Sequence, residues 1–183
     1  MKRGMLITAL LVVSFGAMYL FSSGAQGSAG EKKKLLRVGV YDSRGIAIAY
    51  GNSALFDKVL KEKKAAFEQA KKDNDTKKVQ DLEEWFPARQ AKAHRQAFGT
   101  MPVHDLLEVV KDRIPAVAKE AGVDAIVSKW ELDYLAADAD IVDVTRGMAE
   151  LFQPREKAYK WIEQLKDVDP VSEEAIEKHE SSR

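Results

Sequence analysis

The chain lacks cysteine, and this absence removes several classes of protein at once. None of its 183 residues is a cysteine, so disulfides, thiolate zinc sites and cysteine nucleophiles are all excluded. Net charge is absent too, because 29 Lys and Arg residues balance 29 Asp and Glu residues. A simple nucleic-acid binder is usually strongly basic, so we expect no nucleic-acid partner.

Motifs that carry catalysis are also missing. The sequence contains no Gly-x-Ser-x-Gly nucleophile turn, no glycine-rich phosphate loop and no His-Glu-x-x-His helix. The segment Asp73-Asn74-Asp75 begins like a calcium loop, but Lys78 stands where that loop needs glycine, so a turn is predicted. We therefore expect a protein that is not an enzyme, with no catalytic residue, no metal and no cofactor.

The first 29 residues have the pattern of an export leader. Lys2 and Arg3 precede an uncharged apolar run of 17 residues (5–21), and small residues follow it. This order predicts a signal peptide over 1–29 that is cleaved near Ala25. A run of this length is also compatible with an uncleaved N-terminal anchor. Either reading places the remaining chain outside the cytoplasm, and the lack of cysteine favours the bacterial periplasm.

Beyond a basic tether at 30–35, the pattern changes from strand to helix. Alternating apolar residues at 36–40 predict a short strand, whereas 43–53 is compatible with a second hairpin strand or with a turn into a helix. Apolar residues then recur at three- and four-residue steps from an N-cap at Ser53. With a turn at 73–76 they predict an antiparallel helical hairpin over about 52–98.

The second half of the chain predicts a return to strands. A break at 99–102 precedes a further helix that ends at Gly122. Strands are then predicted at 124–130 and near 132–136, joined by a tight turn, and a short helix runs on to Phe152. The C-terminal part, 153–183, predicts one more helix and a polar tail that frays. The predicted fold class is α+β, with a small strand body and a projecting helical hairpin.

Two segments carry a resemblance to a known family. They are VGVYD at 38–42 and KEAGVDAIVSKWELDYLAADADIVDVTRGMAEL at 119–151. In the second segment a helix ends near Gly122, a strand and a Tyr134-containing strand follow, and an Asp-Ile turn at 140–143 enters the last helix. This order resembles the Skp (OmpH-like) family of periplasmic chaperones over roughly 36–152. The resemblance implies a homotrimer in which the strands form a shared barrel and the hairpins hold unfolded outer-membrane proteins.

The function predicted on these grounds is that of an ATP-independent periplasmic holdase for unfolded exported or outer-membrane proteins. Segment 52–98 holds 11 positive and 8 negative residues, whereas 103–153 holds 5 and 11, so basic arms would attract acidic chains. Candidate client-binding residues are Phe56, Phe67, Trp85 and Phe86, although these side chains can instead pack the two helices together. The alternative is a membrane-anchored structural or adaptor protein of the envelope that binds a specific partner through its C-terminal helix.

Overall fold

A computed structural model describes residues 36–180, and the predicted leader and its cleavage point near Ala25 lie outside the described residues. In chain order the elements are β1 (Arg37–Tyr41), α1 (Ser43–Gly51), α2 (Ala54–Lys72), α3 (Thr76–Phe98), α4 (His104–Leu107), α5 (Ile114–Ala121), β2 (Ala125–Ser128), β3 (Asp140–Asp143), α6 (Thr145–Glu150), α7 (Glu156–Gln164) and α8 (Glu173–Glu180). Short 3-10 segments follow α4 and α7. Within the described part of the chain, every helix is too short or too polar to cross a membrane.

The strands form one open, parallel sheet in the order β2-β1-β3. Val38 of the central strand lies opposite Ala125 on one side and Ile141 on the other. The expected mixture of helices with a small strand body is confirmed. The prediction of two strands joined by a tight turn is wrong, because β2 and β3 each pair with β1 and not with each other. The sheet is open and is not a barrel. Parallel strands require a crossover, so the stretch predicted as a strand at 132–136 is connecting chain.

Among the described residues, one face of this sheet packs on the core cluster and the other lies outside it. Gly39 and Tyr41 face the helices, and a Cβ on Gly39 would lie 3.2 Å from the side chains of Ile126 and Val144. The opposite face, called the open face below, consists of Val38, Val40, Ala125, Val127 and Ile141. The first four are half-buried and Ile141 is 40% exposed, and none of the five belongs to the buried core cluster of the described chain.

Helix α1 occupies the segment whose sequence was compatible with strand or turn. Asp42 caps it by accepting a hydrogen bond from the Arg44 amide at 3.0 Å. Ile46 and Ala49 are fully buried and belong to the core cluster, together with Met148 of α6. The Asp42 cap, together with burial of one helix face, favours a helix over a strand in this segment.

The predicted boundaries of the next two helices are confirmed. Ser53 caps α2 by accepting from the Phe56 amide, and the turn between the helices contains Asn74 at φ 57°. Helix α3 continues through Pro87 and ends at Gly99, whose φ of 83° suits glycine. The two helices contact each other through the Phe67 and Phe86 rings, whose centroids are 6.2 Å apart.

The C-terminal segment lies against the rest of the described chain. Ala158 and Ile162 of α7 and Ile176 of α8 are all buried. Part of the stretch predicted as a fraying tail is helical, and α8 packs through the buried side chain of Ile176.

Candidate functional site

An apolar cleft of about 470 Å³ lies between α2 and α3. Its lining consists of Phe56, Leu60, Trp85, Phe86, Pro87, Arg89, Gln90, Ala93 and His94. We call it the aromatic cleft. It forms because the apolar side chains of both helices recur on the faces that meet.

The four aromatic residues predicted to bind clients lie close together at this cleft. Phe56, Trp85 and Phe86 line it, and Phe67 contacts Phe86 from α2. The Trp85 and Phe86 rings meet edge to face, with centroids 5.2 Å apart and planes at 80°. All four side chains are half-buried, so each one both packs within the helix pair and keeps surface available.

Arg89 is a cleft residue that sequence reasoning missed. Its guanidinium carbon lies 5.3 Å from the centroid of the Phe56 ring and 5.5 Å from that of Tyr50, within the range of cation–π attraction. Its Nη1 atom is buried and lacks a hydrogen-bond partner among the described residues. The spacing held the signal, because Arg89 follows Trp85 by four positions and so shares its helix face.

The base of α3 is tied to the segment that follows it by a buried glutamine. Gln96 Nε2 donates to the Pro102 carbonyl at 2.9 Å and to Asp105 Oδ1 at 2.7 Å. Lys92 Nζ lies 2.8 Å from the other oxygen of that carboxylate. Burial would raise the pKa of Asp105, but the hydrogen bonds from Lys92 and Gln96 outweigh burial and lower it. The ionised carboxylate thereby holds the base of α3 in place.

A second group of polar side chains lies where the strands end, and we call it the carboxyl-edge cluster: Asp42, Arg44, Lys129 and Trp130. The Asp42 carboxylate lies 2.7 Å from Arg44 Nη2 and 2.8 Å from Lys129 Nζ, and it accepts from Trp130 Nε1 at 3.1 Å. Only 6% of the Asp42 side chain and 3% of the Arg44 side chain are exposed. Burial would raise the pKa of Asp42, but these donors outweigh it and lower the pKa to about 2.

The carboxyl-edge cluster also fastens the C-terminal segment. Arg44 Nη2 donates to the carbonyls of Leu165 and Val168 at 3.1 and 2.7 Å. Beside it lies a cavity of about 350 Å³, whose lining includes Lys129 and Lys166. These two cations are paired with Asp42 and Glu163 respectively.

The described residues contain no group of three or more His, Asp or Glu side chains placed to hold a metal ion. No family model, curated protein or solved structure matches this chain. Inference about function therefore depends on the chain's own residues. Of the two regions, the aromatic cleft is the one lined by several aromatic rings and by a cation, Arg89, with one nitrogen that lacks a hydrogen-bond partner among the described residues.

Proposed function

We propose that the protein is an ATP-independent holdase of the periplasm that binds unfolded exported or outer-membrane proteins. In this proposal α2 and α3 form a projecting antiparallel hairpin, and the chain is a divergent relative of the Skp family. The observation that carries the proposal is the aromatic cleft, with four half-buried aromatic side chains on one helix pair. The leader pattern at 1–29 supports the location.

The chemistry of the aromatic cleft fits an unfolded client. An unfolded chain exposes apolar side chains, and a holdase must cover them without demanding one sequence. Aromatic walls provide large contact area, and a volume of about 470 Å³ lies within the range of natural binding pockets. The excess of positive residues in segment 52–98 adds attraction for acidic chains.

Removing the cleft aromatics should weaken holdase activity. With Trp85→Ala and Phe86→Ala combined, we expect about tenfold more protein to be needed to suppress aggregation of a denatured outer-membrane β-barrel, because two aromatic contacts are lost. Light scattering of the diluted client measures this, and circular dichroism checks that the variant is folded. Trp161→Ala is the matched control, since Trp161 is 43% exposed on α7 and lies outside the cleft. An equal loss in the control, or no suppression by the wild type, would contradict the proposal.

The open face of the sheet supports the further proposal that the chain forms a homotrimer. Parallel sheets are nearly always covered on both faces, yet this face carries apolar side chains outside the core cluster of the described chain. Other copies of the chain would cover it. Three copies would also bring three clefts to one client, which raises the effective concentration of weak sites.

The mass in solution tests the trimer. Light scattering of the exported chain should give three times the monomer mass, and Ile141→Glu should shift the protein toward monomer by burying a charge in the interface. Val171→Glu is the matched control, because Val171 is also 40% exposed but is not on the sheet. A wild-type monomer, or equal effects of the two variants, would remove the trimer from the proposal.

A further inference from the structure

We infer that the aromatic cleft selects segments of an unfolded chain in which a large apolar side chain lies next to carboxylates. This inference rests on the proposed holdase function and names the chemistry of the segments that the cleft binds. Arg89 is the residue that would receive a carboxylate, and the aromatic walls would receive the apolar side chain.

The first support is the state of the Arg89 guanidinium. Nη1 is buried without a hydrogen-bond partner among the described residues, which is costly for a charged donor. The Asp105 carboxylate attracts the Arg89 charge but accepts no hydrogen bond from Nη1. A carboxylate that enters the cleft and draws the guanidinium toward it would supply the missing acceptor.

The second support is the one-sided charge of the cleft. Its lining contains the cation Arg89 but no carboxylate. Lys63 Nζ lies 5.2 Å from the Trp85 ring centroid, while Arg89 lies over Phe56. Two cations are thus placed at separate aromatic rings, so acidic groups on either side of a bound apolar side chain would each meet a positive partner.

This arrangement favours a peptide over a fatty acid. A fatty acid has one carboxylate at one end, and it would use only one of the two cations. In an extended peptide the side chains two positions before and two positions after an aromatic residue share the face of its ring, so such a peptide can use both cations. We therefore assign the cleft to acidic-aromatic segments of a polypeptide.

The test uses the complete exported protein, without the predicted leader. Its ligands are short unstructured peptides that each carry a fluorophore. One peptide carries Glu-Ser-Phe-Ser-Glu, and its partner carries Gln-Ser-Phe-Ser-Gln in an otherwise identical sequence. By fluorescence anisotropy we expect the acidic peptide to bind roughly tenfold more tightly. Arg89→Gln should remove most of this preference, and Arg89→Lys should keep part of it because the charge remains. Lys64→Gln, an equal charge change at an exposed site outside the cleft lining, should leave the preference intact.

Several results would overturn the inference. Equal binding of the two peptides to the wild-type protein would do so. So would a loss of the acidic preference in Lys64→Gln as large as that in Arg89→Gln, since the net charge of the protein would then explain the preference. Tighter binding of dodecanoate than of the acidic peptide would assign the cleft to a lipid. If aggregation is suppressed but the acidic preference is absent, only this inference fails. If neither peptide binds and no client is held, the proposed function fails with it.

Discussion

Asp42→Asn is expected to lower the free energy of unfolding by about 3–5 kcal/mol, because it leaves a buried Arg44 without its carboxylate. The introduced amide would keep the shape of the side chain but not the charge that balances Arg44 and Lys129. The carbonyls of Leu165 and Val168 would remain as partners of Arg44, but neutral acceptors compensate a buried cation only in part. Urea unfolding followed by circular dichroism measures the loss.

Asp140→Asn is the matched control for this variant. Asp140 forms an ion pair with Arg37 at 3.0 Å, but the two side chains are 55% and 43% exposed. Exposed ion pairs contribute little to stability, so we expect this variant to lower the free energy of unfolding by less than about 1 kcal/mol. Similar losses in the two variants would show that the carboxyl-edge cluster is no more important than a surface pair.

The pH dependence of stability gives an independent measure of Asp42. Its pKa is about 2 in the folded chain and 3.8 for the ordinary group, so folding favours the ionised form. The resulting stabilisation is present above about pH 4 and is lost as the pH falls through about 2, with a size of about 2 kcal/mol. The Asp42→Asn variant should lack this part of the loss of stability at low pH, whereas the Asp140→Asn variant should retain it.

Local signals in the sequence predicted the helix boundaries well. Ser53, Gly99 and Gly122 each act at one residue through a cap or a positive φ, so their effect needs no distant partner. The same holds for the turn between α2 and α3. The aromatic cleft was partly predictable for this reason, because the residues on each helix face follow from spacing alone.

The strands and the carboxyl-edge cluster could not be predicted in the same way. A strand was predicted near 132–136, yet Tyr134 is 81% exposed in the connection, and the acidic segment 140–143 pairs with β1 instead. Pairing of β3 with β1 joins residues about a hundred positions apart, which no local pattern reports. The contact between Asp42 and Lys129 depends on the pairing of β2 with β1, which also joins distant residues, and so sequence reasoning missed it.

Phe152→Ala is expected to cost about 3–5 kcal/mol of unfolding free energy, because Phe152 is a large core side chain that is 1% exposed. Tyr134→Ala removes a ring that is 81% exposed, and we expect a change within about 0.5 kcal/mol. Denaturant unfolding of both variants measures the difference. Equal effects would place Phe152 outside the cooperative core.

The same variant should also weaken peptide binding, because Phe152 supports one wall of the aromatic cleft. The Phe152 and Tyr50 rings meet edge to face, with centroids 5.9 Å apart. The centroid of the Tyr50 ring in turn lies 5.3 Å from that of Phe56. Without Phe152, Tyr50 can shift into the cavity, and Phe56 and Arg89 lose the ring that positions them. Phe152→Leu fills most of that cavity and should restore binding. If Phe152→Ala binds the acidic peptide as tightly as wild type at a temperature where both are folded, the cleft does not depend on this chain of rings.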